Sequence, residues 1–121
     1  MINYLEKASQ NHYSPDQQVK EGTIDTAIKA AIKECKQLHP IVKDISNKTR
    51  FQMLCILNVG EKNVGELQEL IGAKQAYISQ QLKYLKQAGY LKSRKEGTYV
   101  YYRLADGRFP KLLKALNPLL K

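Results

Sequence analysis

The sequence predicts a winged helix-turn-helix domain, which is a mainly α fold with a small β-hairpin. Two short amphipathic segments and a tight turn precede a helix with a polar outer face, and after Gly89 the apolar period falls from about 3.6 residues to about 2. The chain is also basic, with 20 Lys+Arg against 11 Asp+Glu and a formal net charge of +9. A small domain this basic is a candidate for a polyanionic partner, of which nucleic acid is the commonest.

The 121 residues suit one domain with a core of its own. No apolar run approaches the roughly 20 residues that span a bilayer, and the first residues lack the charged and apolar regions of a signal peptide. We therefore expect a cytoplasmic protein with no membrane partner. In that reducing compartment, Cys35 and Cys55 are expected as free thiols.

Residues 1–22 are polar and mixed, which predicts a mobile or loosely docked N-terminal arm before a folded domain over 23–121. Thr23 suits the N-cap of the first helix. In that helix, apolar residues recur every three or four positions, as they do where one helix packs along another. These residues are Ile24, Ile28, Ala31, Cys35 and Leu38. Such a seam belongs either to the core or to a dimer interface, and we favour the interface.

A proline and a short helical segment follow the seam. Pro40 predicts a break after His39, with a short helical segment at 41–45. Asn47 is placed to cap the next helix, which should end at Gly60.

A second short amphipathic helix is indicated by its caps. Asn63 with Glu66 three positions later resembles a capping box, and Gly72 is placed to end the helix. Two short helices, a tight turn and a third helix make a helix-turn-helix pattern.

The third helix, between Gly72 and Gly89, has two unlike faces. Its apolar stripe consists of Ile78, Leu82 and Leu85, whereas its outer face consists of Ala76, Gln80, Lys83 and Gln87. In a major groove, amides contact adenine bidentately, lysine reaches guanine or phosphate, and alanine lets a helix approach closely. We therefore expect this helix to read DNA while the other elements hold it in place.

A basic β-hairpin and a last helix complete the domain. The hairpin turn is expected near Glu96-Gly97, and the run Tyr99–Leu104 has the β-branched and aromatic residues that strands favour. The last helix has Pro110 in its first turn and one apolar face. That face consists of Phe109, Leu112, Leu113, Leu116 and Leu120.

Four strings in order resemble the ArsR/SmtB family of bacterial winged-helix repressors. They are SNKTRFQMLCIL from Ser46, VGEL from Val64, ISQQLKYLKQAGYL from Ile78 and RKEGTYVYYRL from Arg94. The resemblance covers about residues 40–104. It implies a homodimer that binds an inverted-repeat operator in double-stranded DNA and represses transcription until an inducer releases it.

The resemblance also implies the sites. By position, the recognition helix and wing would contact DNA through Lys74, Gln75, Ala76, Tyr77, Ser79, Gln80, Lys83, Arg94, Lys95, Thr98 and Tyr99. The first and last helices would form the dimer interface, through Ile24, Ile28, Ala31, Cys35, Leu112, Leu113 and Leu116. This assignment agrees with the seam found in the first helix.

One departure from the family pattern occurs at Lys74, where the family commonly has a serine that caps the recognition helix. Lysine cannot cap, and a lost cap typically costs about 0.5–2 kcal/mol. Its charge also opposes the positive end of the helix dipole. Lys74 is therefore either a phosphate contact or a tolerated surface lysine, and we weigh the two equally.

The familiar metal sites of the family are missing. Asn63 and Gly65 stand where many members have a Cys-x-Cys pair, and 108–121 contains no His, Cys, Asp or Glu. Cys35 and His39 lie four apart, but two ligands fall short of a zinc site. We therefore predict no metal and no cofactor.

Redox sensing is the stronger alternative for the signal. Cys55 resembles the first cysteine of the family's reactive-sulfur-sensing branch, but the partner cysteine on the final helix is missing. A switch would need Cys35 as a substitute, a disulfide between subunits, or modification of one thiol. We favour the simpler interpretation that each cysteine is a small buried hydrophobe.

A function of another class also fits a basic winged helix, namely a protein-interaction module that sequesters another regulator. Selective, strongly salt-dependent DNA binding would favour the first interpretation, and a tight protein partner the second. An enzyme is not expected, because no nucleophile with a base, paired carboxylates or phosphate loop occurs at a useful spacing.

Overall fold

The computed structural model describes residues 21–120 of the chain. The elements in chain order are α1 (Glu21–Ile45), α2 (Lys48–Val59), β1 (Lys62–Asn63), α3 (Val64–Ile71), α4 (Gln75–Gln87), β2 (Leu91–Glu96), β3 (Tyr99–Leu104), α5 (Arg108–Leu116) and a 3₁₀ turn (Asn117–Leu119). The chain divides into two compact units, residues 1–38 and 39–121. The described elements match the predicted fold class, and none of their helices is long and apolar enough to cross a membrane.

Helix α1 corrects two predictions. It is already helical at Glu21, so Thr23 is not its N-cap, and it continues through Pro40 to Ile45 instead of breaking after His39. Proline inside a helix removes one hydrogen bond and crowds the preceding turn, at a cost of about 3 kcal/mol. Contacts from outside the helix hold the segment after Pro40, because the Arg50 side chain donates to the Lys43 and Asp44 carbonyls. Of the predicted arm, residues 1–20 lie outside the described residues, and residues 21 and 22 belong to α1.

The caps of the helix-turn-helix agree with the sequence. The Asn47 side chain accepts from the Arg50 backbone N–H at 3.0 Å, which caps α2. Asn63 and Glu66 form a reciprocal capping box on α3, with bonds of 2.8 and 3.0 Å. Helix α3 ends at Gly72, whose φ of 79° is the left-handed conformation that glycine adopts without strain.

The sheet has one more strand than the sequence indicated. Strands β2 and β3 form the predicted antiparallel hairpin, in which Leu91 faces Leu104 and Glu96 faces Tyr99. The two-residue strand β1 pairs with the other edge of β3, so the strand order is β1-β3-β2. Because β1 immediately precedes α3, this pairing ties the helix-turn-helix to the wing.

The core of the unit 39–121 lies between α2, α3, α4 and the sheet. Its fully buried members are Met53, Leu54, Leu67, Ile78, Leu82 and Leu85. Tyr90, Leu91 and Phe109 extend it toward α5, where the rings of Phe51 and Phe109 meet edge to face with centroids 5.6 Å apart. The predicted apolar stripe of the third helix is therefore the part of α4 that anchors it.

Candidate nucleic-acid interface

Helix α4 separates its two faces almost completely. Ile78, Leu82 and Leu85 have no exposed surface, whereas Gln80 and Lys83 point to solvent. Every residue predicted to contact DNA is exposed. This holds for Lys74, for the predicted contacts in α4 and for those in the wing. Within residues 21–120, the Gln80 side chain makes no hydrogen bond and Lys83 makes no ion pair. Their donors and acceptors are therefore available to an external partner.

The start of α4 is uncapped by side chains. Lys74 occupies the N-cap position with φ −65° and ψ 144°, the extended conformation of a capping residue, but its side chain makes no capping hydrogen bond. The first N–H groups of α4 therefore have no side-chain acceptor, and a lysine stands beside them. This arrangement suits an external anion such as a phosphate oxygen.

The end of α4 is closed by glycine. The Tyr90 N–H donates to the Leu85 carbonyl at 2.9 Å, and the Gly89 N–H donates to the Lys86 carbonyl at 3.1 Å. This is the Schellman pattern, and the φ of 86° at Gly89 allows it. Tyr90 and Leu91 can then enter the core at once, so the turn fixes the wing directly after the recognition helix.

The wing and the start of α4 share one cleft. Thr98 and Tyr99 at the hairpin turn and Gln75 in the first turn of α4 line an open cleft of about 360 Å³ together with the start of α3. At the other end of the helix, the Lys86 ammonium donates to the Ser93 hydroxyl at 2.6 Å. The structure therefore places predicted contacts from the wing and the helix next to each other.

Arg94 is the predicted contact whose charge is already used within the protein. Its guanidinium donates to Glu61 at 2.6 and 2.9 Å and to Glu96 at 2.7 Å, and it lies 4.8 Å from the centre of the Tyr101 ring. The hydrogen bond from Arg94 holds the pKa of the Glu61 carboxyl below its ordinary value. Lys95, next in sequence, has no ion pair within the described residues.

Tyr77 is exposed but also bonded internally. Asn47 donates from its amide to the Tyr77 hydroxyl at 3.1 Å, and this bond, followed by one with Thr49, lowers the pKa of the phenol. Tyr77 as a whole residue is 37% exposed. Tyr77 can therefore present one edge outward while its hydroxyl fixes the beginning of α4 to the N-cap of α2.

Sequence reasoning missed four residues that hold α4 in place, two on the helix itself and two that bond to them. Gln81 is only 8 % exposed and accepts from the Arg50 guanidinium at 3.0 Å, while the Tyr84 hydroxyl donates to Asp44 at 2.6 Å. The signal for Gln81 was present, because it lies three residues after Ile78 and so falls within the apolar stripe. No local pattern indicates its partner Arg50, which is 31 residues away in the chain.

Both cysteines are free thiols, in unlike environments. Cys35 is exposed on α1, contrary to the interpretation that both cysteines are buried hydrophobes, whereas Cys55 is half-buried against the core. Burial raises the pKa of the Cys55 thiol, which disfavours the reactive thiolate. A thiol switch through Cys35 or Cys55 stays a prediction. Among residues 21–120, no three His, Cys, Asp or Glu side chains form a cluster that could hold a metal.

Comparison with known proteins shows which family the chain resembles. Residues 47–93 match the model of the bacterial regulatory proteins of the arsR family. The chain is also 33% identical over 84 residues to the biofilm growth-associated repressor of Agrobacterium fabrum, an alignment that covers 69% of this chain and 72% of that protein. The chain belongs to the ArsR family.

Solved structures of similar proteins have the same fold. The transcriptional repressor BigR from Xylella fastidiosa superposes with a TM-score of 0.68 at 30% identity, over 77% of this chain and 95% of that one. A homodimeric winged helix-turn-helix DNA-binding domain from Mycobacterium bovis gives a TM-score of 0.61 at 28% identity, over 85% and 87%. As an ArsR-family member with this fold, the chain is a DNA-binding transcriptional regulator.

Proposed function

We propose that this ArsR-family protein is a homodimeric repressor that binds an inverted-repeat operator in double-stranded DNA until a signal releases it. The observation that carries the proposal is the outer face of α4. Gln80 and Lys83 are exposed without internal partners, and the same helix is anchored by three side chains that have no exposed surface. A rigid helix with free amides and cations is what major-groove reading requires.

The charges of the chain support an anionic partner such as DNA. Lys74, Lys83 and Lys95 take part in no ion pair within the described residues, so their charges are available to phosphates. The net charge of +9 adds long-range attraction. Phosphate contacts supply much of the affinity in such complexes, and base contacts from the amides supply specificity.

The proposed dimer rests on apolar surface that a single chain leaves open. In α1, Ile28 is 52% exposed and Leu38 is 50% exposed, and Ala31 and Cys35 are also exposed. Ile24 belongs to the same predicted set, but its side chain lies outside the described residues. In α5, Leu112, Leu113 and Leu116 are half-buried, and the last two line an open apolar groove of about 580 Å³. Apolar surfaces of this kind favour association with a second copy.

Selection of bound duplexes from a randomised DNA pool tests the proposal. We expect a pseudo-palindromic sequence bound by two chains, with half-sites one helical turn apart, about 34–36 Å. Binding should weaken steeply as salt is raised. If no sequence is enriched and a pull-down instead gives a tight protein partner, the chain is the sequestering module and not an operator-binding repressor.

A further inference from the structure

We infer that Arg50 is the positioning residue of the recognition helix: its guanidinium fastens the inner polar face of α4 to the C-terminal end of α1, and sequence-selective DNA binding depends on this link. The inference rests on the proposed function of α4 as the DNA reader. It concerns a residue outside the set predicted to contact DNA.

The contacts of Arg50 converge from two elements. Its Nε donates to the Asp44 carbonyl at 2.6 Å, and one Nη donates at 3.0 Å to the Lys43 carbonyl, which also accepts from the Ser46 hydroxyl at 2.9 Å. Both carbonyls belong to the last turn of α1, where no partner is available within the helix. The other Nη donates to the Gln81 side-chain oxygen at 3.0 Å. One rigid planar group therefore joins the end of α1 to the middle of α4.

The link is closed into a ring by Tyr84. The Arg50 guanidinium carbon lies 4.1 Å from the centre of the Tyr84 ring, and the Tyr84 hydroxyl donates to the Asp44 carboxylate at 2.6 Å. That hydrogen bond, followed by burial, raises the pKa of the Tyr84 phenol, so it stays a donor at neutral pH. Asp44 thus holds the same helix twice, through its carboxylate to Tyr84 and through its carbonyl by way of Arg50.

The bonded residues of α4 form a second row beside the apolar stripe. Tyr77, Gln81 and Tyr84 are spaced four and three apart, so they share one face of the helix. The first is held by the Asn47 side chain, which also accepts from the Arg50 backbone. Apolar packing is non-directional and tolerates small rotations of a helix, whereas three directional bonds fix its rotation about its axis. That rotation decides which bases Gln80 and Lys83 can reach.

The geometry requires arginine. Three acceptors in different directions and an aromatic face are satisfied together only by a planar group with five donors, and a lysine ammonium cannot make this set. Arg50→Lys keeps the charge and much of the side-chain length, so it isolates the geometric role. Ile56→Val, on the same helix and packed against the core, is the matched control because it loses stability without changing a hydrogen bond.

The first measurement compares the affinity of each variant for the selected operator and for random duplex. We expect Arg50→Lys to weaken operator binding about tenfold while random-duplex binding changes by less than about twofold. Thermal unfolding of each variant gives its folded fraction, so that the affinities can be compared for folded protein. If Arg50→Lys reduces the ratio of specific to random affinity no more than Ile56→Val does, Arg50 is not a positioning residue.

The second measurement needs no DNA and separates this inference from the proposed function. Amide hydrogen exchange in the free protein should be about tenfold faster across 75–87 in Arg50→Lys than in Ile56→Val, with smaller changes in the sheet. Unchanged exchange in α4 would overturn the inference even if the wild type binds an operator. Absence of operator binding by the wild type would overturn the proposed function, and the exchange result would still decide whether Arg50 holds the helix.

Discussion

Arg94 and Lys95 are adjacent cations of the wing that differ in their ion pairing. Arg94 shares its charge with Glu61 and Glu96, whereas Lys95 has no ion pair within the described residues. Both are exposed, so exposure alone does not separate a phosphate contact from an internal one. We expect Lys95 to contribute more to DNA affinity than Arg94, although both were predicted from the same family pattern.

Glu61→Gln tests this difference at a single residue. The change removes one of the two carboxylates that hold Arg94, so binding to random duplex should strengthen by about two- to tenfold. The control is Glu69→Gln, which makes the same change in net charge at an exposed residue of α3 with no ion pair in the described chain. Equal effects of the two variants on duplex affinity would show that Arg94 is not restrained by Glu61.

The sign of the pH dependence follows from the same pair. Because the pKa of folded Glu61 is lowered, chiefly by its hydrogen bond from Arg94, the pair stabilises the wing above the ordinary glutamate pKa of about 4.3. That contribution is lost as the pH falls through the lower, folded pKa. The pair is therefore intact at neutral pH.

At the scale of elements, the start of α4 lacks a side-chain cap, which lowers stability, and carries a lysine that we propose contacts DNA. Lys74 already has the backbone conformation of a cap but no side chain able to accept a hydrogen bond. Lys74→Ser should therefore stabilise the protein by about 0.5–2 kcal/mol through a new cap. It should also weaken DNA binding and reduce the slope of affinity against salt by about one phosphate contact.

Thermal unfolding and salt-dependent DNA titration measure the two effects separately. Lys33→Ser is the control, because it removes the same charge from an exposed position inside α1, opposite the apolar seam, where a serine cannot cap. If Lys74→Ser stabilises the fold and leaves the salt slope unchanged, Lys74 is only a tolerated surface residue. If it does not stabilise the fold, the backbone at this position does not accept a serine cap.

Local sequence signals predicted the elements well where the determinant was itself local. Asn47, Gly72 and Gly89 act through bonds to residues a few positions away, and all three mark real helix ends. Pro40 was misleading because its penalty is local, whereas the end of α1 is also held by Arg50, which donates to the Lys43 and Asp44 carbonyls. The strand β1 was missed because two residues carry no periodicity.

The polar connections of α4 could not be predicted, for a different reason. Asn47 and Tyr77 are 30 residues apart, Arg50 and Gln81 are 31 apart, and Asp44 and Tyr84 are 40 apart. Only the folded arrangement of α1, α2 and α4 brings these partners together. The outer face of α4 was predictable because the spacing of residues along a helix alone determines which of them lie on the same face.

For the whole molecule, two features combine in the proposed repressor. The wing and α4 present free cations and amides, and α1 and α5 leave apolar side chains open to a second copy. A two-fold symmetric dimer would present two copies of α4 to a DNA sequence with matching symmetry.

The most direct test of DNA reading by α4 compares Gln80→Ala and Lys95→Ala on the selected operator and on random duplex. Gln80→Ala should lose about 1–3 kcal/mol on the operator, traceable to one base pair in each half-site, and almost nothing on random DNA. Lys95→Ala should weaken both duplexes alike and lower the salt slope by about one. Equal losses on both duplexes for Gln80→Ala would contradict the assignment of α4 as the helix that reads the operator.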